Sequence, residues 1–494
     1  MTLSRHDFLR GALASLGVGA LRGGRIFAAP QGWKHGGRPN LVFGVISDTH
    51  LISSRRMHEE MVWTRICQPF GNEKGRPDKY LVSALKYFRD RNVDAVMHCG
   101  DMADQGLVSE MQWHADAWRK VFPGDRTADG HKVERLFVTG NHEVEGGDHF
   151  RVKREYPDAA ERARRCLMTD LPANWRRIWG EPYEDVWHKV VKGYHFLGRN
   201  FGEENKAKFA ALLADVAARH SLSCGSKPFF IVSHTGYGGS WNRDYRASIR
   251  GNLKNAVAFF GHHHWSVANW NRIYFDVIED FPELQCPPCS CCFNAGLRDA
   301  DSYIVPVRLE DSEDVGMGRQ GFVVSIYDDM VVFERRDFNI PGGSLGSDWV
   351  MPLNSGTAKH PLSREELKKS IGKPQFKKNV ELKIESVKLE SGGDAVRVSI
   401  PLADGNPDSR VYAYEVVVAG DEGAPKLRKA VYAAGCNIAV GTETTLAIPA
   451  NELPQGKTLV VAARPVTSMG TKGDPISARI SPQVLKNMKR SAAT

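Results

Sequence analysis

The sequence lacks any long hydrophobic run. Among its 494 residues, the one apolar, small-residue stretch near the start, Gly11 to Leu21, is too short to span a bilayer as a helix. This argues against a helix-bundle membrane protein. A strong charge of one sign is lacking too: the formal net charge is +8. Without the four arginines and one aspartate of the first 29 residues it is +5. That suits anionic substrates but gives no strong nucleic-acid signal, and no basic stripe is interleaved with aromatics. There is no internal repeat. At 42% hydrophobic and 25% charged residues, the composition does not indicate disorder, and the length implies two or three domains. Also missing is a pair of separated C-x-x-C halves, so a zinc knot is disfavoured. Four of the nine cysteines crowd into Cys286-Pro-Pro-Cys289-Ser-Cys291-Cys292 and would form disulfides in an exported chain. Cys67, Cys166, Cys224 and Cys436 are scattered, and Cys99 reads as a small core residue.

Export itself is expected from the start of the chain. Arg5 and Arg10 flank Phe8-Leu9, an apolar run follows, and Ala28 and Ala29 offer cleavage choices. Residues 1–29 are read as a signal peptide. Its context resembles a twin-arginine signal, with His6 standing where the second arginine should be. The expected location is periplasmic or extracellular; an uncleaved anchor is the alternative.

What is present after the leader is a series of apolar strands with polar residues just past their ends. Leu41 to Ser47 is continuous and apolar, as in a strand buried on both faces, and runs into Asp48-Thr49-His50. Helical spacing of Tyr80, Leu81, Ala84, Leu85 and Phe88 predicts a helix over about 78–92. A strand over 93–99 leads to Gly100-Asp101, and a helix over 110–121 follows. Arg135 to Thr139 leads to Gly140-Asn141-His142-Glu143. Residues 146–182, Arg-rich with two tryptophans, read as an inserted helical excursion. A helix over 205–220 follows, with Phe209, Leu212, Leu213 and Val216 on one face. Phe229 to Ser233 leads to His234, and Val257 to Phe260 leads to Gly261-His262-His263-His264. In an extended segment His262 and His264 face one centre and His263 faces elsewhere. Open α/β sheets place their sites at such carboxyl ends. Asp, His and Asn donors without thiolate suit hard or borderline divalent metals, and there are more of them than one ion needs. Two ions bridged by a carboxylate would attract phosphate and make hydroxide available near neutral pH.

The ordered set D-x-H, G-D, G-N-H-[D/E], H and G-H-x-H resembles the calcineurin-like metallophosphoesterase family. It is complete here and covers roughly Leu41 to Phe338. The resemblance implies a four-layer αββα sandwich over residues 38–340 and a phosphate mono- or diester as substrate. It implies one ion, of Mn, Fe or Zn, held by Asp48, His50, Asp101 and His264. A second would be held by Asp101, Asn141, His234 and His262, with Asp101 bridging. His142 would protonate the leaving oxygen or stabilise charge, oriented by Glu143. Asp104 stands where purple acid phosphatases carry a tyrosine ligand, which disfavours that branch. The D-x-H start is more similar to cyclic-nucleotide phosphodiesterases.

Tyr237 and Trp241, with Asn242 and Arg243, follow His234 and are candidates to stack on a base or sugar. His98 is expected to be a packed core histidine, and His58, His114, His131 and His149 to lie on the surface. Phe322 to Ile326 and Met330 to Glu334 predict a closing hairpin. Residues 341–378, rich in Gly, Pro, Ser and Lys, read as a linker. Short alternating runs over 379–485 predict a β-sandwich whose texture is similar to fibronectin type III domains, its partner unknown. A nuclease of the same fold, or a carbohydrate- or protein-binding surface protein working through the β-domain, are the other open readings.

Overall fold

The computed structural model describes residues 37–53, 79–222, 227–236, 256–264, 267, 273–275, 282–285, 297–298, 303–304, 320–338, 343–345, 348–353, 364–389, 391–404, 411–420, 425–433, 443–454 and 458–485. The leader, His58, Tyr237, Trp241, Asn242, Arg243 and the cysteine cluster at 286–292 lie outside them. Among the described residues no helix is long and apolar enough to cross a membrane.

The apolar runs become the central strands of two sheets. The first parallel set is β1 (Leu41–Ile46), β2 (Ala95–Cys99) and β3 (Glu134–Val138). Next come a hairpin, β4 (Val186–Val191) and β5 (Tyr194–Arg199), then β6 (Phe229–Ser233) and β7 (Ala256–Phe260). β8 (Ile273–Phe275) and β9 (Pro282–Gln285) follow, then a two-stranded piece, β10 (Leu297–Arg298) and β11 (Tyr303–Ile304). β12 (Gln320–Ile326), β13 (Met330–Asp337), β14 (Gly343–Ser344) and β15 (Trp349–Pro352) complete this part. One sheet runs β14-β13-β12-β1-β2-β3, with β15 also on β13; the other runs β4-β5-β6-β7-β9-β8. β1, β2 and β3 are parallel, as are β5, β6, β7 and β9. β2, β6 and β7 are buried at every position, which is why they lack polar alternation.

Phe43, Met97, Phe196, Phe230, Phe259 and Phe333 belong to one core drawn from both sheets. Helices α1 (Lys79–Asp90) and α2 (Val108–Val121) pack on the first sheet. A short helix, α3 (Asn141–Glu145), follows β3, and the expected excursion is helical: α4 (Phe150–Glu155), α5 (Ala159–Arg165) and α6 (Leu171–Trp179). α6 adds Trp175, Ile178 and Trp179 to the helix–sheet core. α7 (Asn205–Arg219) packs Phe209, Leu213 and Val216 on the second sheet.

Two expectations meet a different structure. Residues 341–378 hold β14, β15 and helix α8 (Arg364–Ile371), and Trp349, Met351, Leu367 and Ile371 enter the core of both sheets. The surrounding Gly, Pro, Ser and Lys hid a four-residue apolar strand and a one-sided helix. His114, expected on the surface, is fully buried. Its ring meets His98 at 5.0 Å and Trp179 at 5.7 Å, because the face of α2 that carries it is turned to the sheet. His98 is buried as expected, and its Nε2 lies 3.2 Å from the Thr49 hydroxyl.

The C-terminal region is built of antiparallel sheet. β16 (Lys383–Lys388), β17 (Asp394–Pro401), β18 (Val411–Ala419), β19 (Pro425–Tyr432), β20 (Glu443–Pro449), β21 (Leu459–Thr467) and β22 (Ile476–Ile480) form sheets β16-β17-β20 and β19-β18-β21-β22. Their inner faces share one core, with Val396, Val398, Tyr412, Val416, Val431 and Val461 in it.

Candidate metal centre

The polar residues past β1, β2, β3, β6 and β7 converge. Asp48, His50, Asp101 and His264 form one group of donors, and Asp101, His234 and His262 another. In the first, His50 Nε2 lies 3.0 Å from His264 Nε2 and 3.6 Å from Asp101 Oδ2; His264 Nε2 lies 3.2 Å from Asp48 Oδ1. In the second, His234 Nε2 lies 3.0 Å from both Asp101 Oδ2 and Asn141 Oδ1, and His262 Nδ1 lies 3.0 Å from Asn141 Oδ1. Ligand atoms bound at about 2.0–2.2 Å to one ion stand roughly 3–3.6 Å apart, so both groups fit a divalent ion. Asp101 Oδ2 faces both groups; its Oδ1 accepts the His142 backbone N–H at 2.9 Å.

The histidines are anchored for this task. His50 Nδ1 faces the Asp104 carboxylate at 3.0 Å, and His234 Nδ1 donates to the Cys99 carbonyl at 2.7 Å. A carbonyl can only accept, so Nδ1 of His234 carries a proton and Nε2 is the nitrogen turned to the centre, available to an ion once it has released its own proton. The Asp104 contact does the same for His50. Such outer contacts orient metal-binding imidazoles.

The backbone carries strain at these positions. Asp48, His50, Asp101, His262 and His264 have φ between 45° and 74°, at about 1–3 kcal/mol each. His262 and His264 therefore do not sit in an extended segment. They serve the two donor groups separately instead of facing a single point. The motif glycines leave room for carboxylates: a Cβ at Gly140 would stand 2.1 Å from Asp101 Oδ1, and one at Gly261 2.7 Å from Asp48 Oδ2.

Charge is concentrated here. Burial pushes the Asp48 carboxyl up, but His264 and His50 hold it well below the usual range. Asp101 behaves alike: burial is outweighed by His234 and His142. Burial opposes protonation of His50 and His234, yet Asp104 and Asp48 carry the first up to about 9 and Asp101 carries the second up to about 10. The carboxylates thus draw positive charge to this point. His262 is pushed down to about 4 by burial and by His234.

His142 lies beside the donors. Its ring packs edge-on against His50 at 4.5 Å, its side chain is 20% exposed, and its Nδ1 donates to the Asp104 carbonyl at 2.5 Å. Nε2 is the nitrogen left over. Glu143 does not hold His142, contrary to expectation. Its carboxylate accepts the N–H groups of Asp101, Ala103 and Gly140 at 3.0, 2.6 and 2.6 Å, clamping the loops past β2 and β3 together. Its place in the first turn of α3 brings the carboxylate to those amides. Burial, then Asp101, pushes the Glu143 carboxyl up to about 7. Asp104 and Asn200 were not singled out as site residues. Asp104 is a buried acid three residues after Asp101, and that is its sequence signal. Asn200 accepts the Thr139 N–H at 2.6 Å and ties the end of β5 to β3; nothing in its neighbours announces this.

Residues 41–266 match the calcineurin-like phosphoesterase family. This stretch is a calcineurin-like metallophosphoesterase domain. The family implies phosphate-ester substrates and divalent metal ions, and makes the domain a hydrolase. No curated protein matches the sequence. Among solved structures, the chain is similar to a dimetal phosphatase from Danio rerio at 12% identity and a TM-score of 0.36, covering 63% of this chain and 98% of that one. It is similar to a purple acid phosphatase from yellow lupin seeds at 10% identity and a TM-score of 0.37, covering 63% and 54%. A predicted phosphoesterase from Streptococcus pneumoniae gives 11% identity and a TM-score of 0.25, covering 63% and 97%.

Proposed function

We propose that this protein is an exported phosphoesterase that hydrolyses phosphate mono- or diesters at a centre of two divalent ions, drawn from Mn, Fe and Zn. One observation carries the reading: a single carboxylate oxygen, Asp101 Oδ2, faces two separate donor groups. Asp48, His50, Asp101 and His264 would hold one ion; Asp101, Asn141, His234 and His262 the other. Such ions supply Lewis acidity towards a phosphoryl oxygen and a nucleophile at neutral pH.

The chain's own residues do the rest. Asp104 and the Cys99 carbonyl fix the tautomers of His50 and His234, and Glu143 holds the Asp101 loop in its left-handed turn. His142 keeps Nδ1–H on the Asp104 carbonyl, so in the imidazolium form its Nε2–H is the proton available to a leaving alkoxide. Cores drawn from both sheets and from helices on each support the four-layer αββα reading. Two antiparallel sheets of three and four strands support a fibronectin type III-like C-terminal domain. The arginine-flanked apolar start of the chain supports export.

The test joins metal content to a substrate panel. Protein prepared with Mn²⁺ should hold two equivalents and Asp101→Ala none, and protein loaded with Mn²⁺, Zn²⁺ or Fe²⁺ should cleave at least one of phosphomonoesters, phosphodiesters, cyclic nucleotides or DNA. Full occupancy in Asp101→Ala removes the bridge; a fully loaded but inert protein removes the catalytic reading.

A further inference from the structure

A second set of imidazoles lies away from the strand ends. In the β4–β5 hairpin, His188 pairs with Leu197 and Val190 with His195, so these four residues share one face. Leu197 places that face against α7, beside Phe209 and Leu213. α7 ends at Arg219, and His220 is the next residue. The two strands of one hairpin and the end of α7 thus bring three imidazoles together, with one ring nitrogen of each within 4.8 Å of the others. His188 Nε2 lies 2.9 Å from His195 Nδ1, and their rings are stacked at 5.1 Å. The His220 ring lies 4.4 Å from His195 and 5.6 Å from His188. His195 is the second residue of β5, whereas the phosphoesterase donors stand past the ends of β6 and β7, strands parallel to it. The two clusters therefore belong to opposite ends of the second sheet.

We propose that His188, His195 and His220 form a separate binding site for one borderline divalent ion of the Zn²⁺ or Cu²⁺ class. One hydrogen bond accounts for the His188–His195 pair but not for His220 turning in on both. All the donors are imidazole nitrogens, with no carboxylate among them, so hard ions such as Mg²⁺ and Ca²⁺ are disfavoured. Imidazole nitrogens bound at about 2.0–2.1 Å in a tetrahedral site stand roughly 3.3 Å apart, and the His188 and His195 nitrogens, at 2.9 Å, need to move only a few tenths of an ångström to reach that spacing. Three protein ligands leave a further position for water, and exposed His220 leaves a way in. The site sits at a helix C-terminus, where the dipole favours a cation. The neighbouring cations are engaged elsewhere: Arg219 pairs with Asp215, and Lys227 lies over the Tyr194 ring at 5.2 Å. Burial, then His195 and His220, pushes His188 down to about 4, which leaves one of its two ring nitrogens unprotonated at neutral pH. An ion here would staple edge strand β4 and its hairpin to α7.

The inference does not rest on the phosphoesterase reading. Its test uses the full chain without an affinity His tag, saturated with Mn²⁺, and equilibrium dialysis against Zn²⁺. The wild type should bind one Zn²⁺ per chain that His220→Gln binds at least about tenfold more weakly. The pair His188→Gln/His195→Gln should lose it altogether. Because His220 is exposed, its variant keeps the test decisive should the hairpin variant fail to fold. Asp101→Ala should keep this Zn²⁺. Equal Zn²⁺ in wild type and His220→Gln, binding weaker than about millimolar, or loss of all Zn²⁺ in Asp101→Ala each overturns the proposal.

Discussion

The sheets of the phosphoesterase domain and the C-terminal antiparallel sheets use the same kind of apolar strand and finish it differently. In the first region the strands end in aspartates and histidines with left-handed backbone, at Asp48, His50, Asp101, His262 and His264. In the second, among described residues from 379 onward, Asn379 is the one non-glycine residue with positive φ. Buried charge differs in the same way. Glu415 of the C-terminal sheets, 2% exposed, is paired with Arg428, Arg464 and Lys472. Asp48 and Asp101 face imidazole nitrogens that converge with them in the two donor groups. A buried acid ringed by arginine and lysine is a closed structural unit. A buried acid ringed by neutralisable ligands, on strained backbone, is arranged for something that binds.

The largest expected effect tests whether the strained region does chemistry beyond holding ions. His142→Ala should keep both metals and fold normally. It should lose about 10²–10⁴-fold in kcat on an alkyl phosphate ester, and less on a nitrophenyl ester, whose leaving group needs little protonation. Equal losses on the two esters would make His142 a positioning residue. Lost metal would place it among the ligands.

This comparison also marks how far the sequence could be read. Strand ends were legible because β1, β6 and β7 are apolar along their length and then turn polar at a single point, as at Ser47-Asp48 and Ser233-His234. The family-like spacing of those points named the donors that the structure brings together. The left-handed backbone was not legible, since Asp and His carry no local mark of φ. Neither was the role of Glu143: its carboxylate serves amides on another loop, and the adjacency to His142 suggested the wrong partner. β15 and α8 were hidden by polar flanks, and the β4–β5 hairpin by its short, mixed strands. His114 was misplaced because its helix turns a histidine, not an aliphatic residue, towards the sheet.

His114 gives the second prediction. Burial, then His98, holds its imidazole well below the usual value, and burial holds His98 at about 3. A histidine whose folded pKa is depressed binds its proton only on unfolding. Stability is therefore lost as pH falls below about 6.5, by on the order of 1 kcal/mol per pH unit for each such group. In His114→Leu that loss disappears for one group, while the donor histidines titrate as before and cancel in the difference. The stability gap between variant and wild type, from denaturant unfolding at pH 7.5, 6.5 and 5.5, should shift in favour of the variant as pH drops. A constant gap would mean that His114 is not held neutral. The region from 379 onward contains no histidine and supplies the internal control.

The smallest expected effect comes from removing the sandwich, and the position of the cut decides it. A chain ending at residue 340, where the linker was expected to begin, loses Trp349, Met351, Leu367 and Ile371 from the core of both sheets. At about 1.5–3 kcal/mol for each buried side chain, the deficit approaches the whole stability of an ordinary domain, and that chain should not fold. A chain ending at Lys373 keeps all four. Among the described residues, it loses against the core of both sheets Met469, partly buried, and the exposed Lys373–Asp474 ion pair, itself worth about 0–1 kcal/mol. Its melting temperature should fall by only a few degrees. Its turnover of a chromogenic phosphodiester should match the full chain, because no described donor or anchoring residue lies beyond Phe338. Retained metal with lost turnover in the Lys373 chain would make the sandwich a contributor to the catalytic site, and the contrast between strained and unstrained regions would no longer separate catalysis from support.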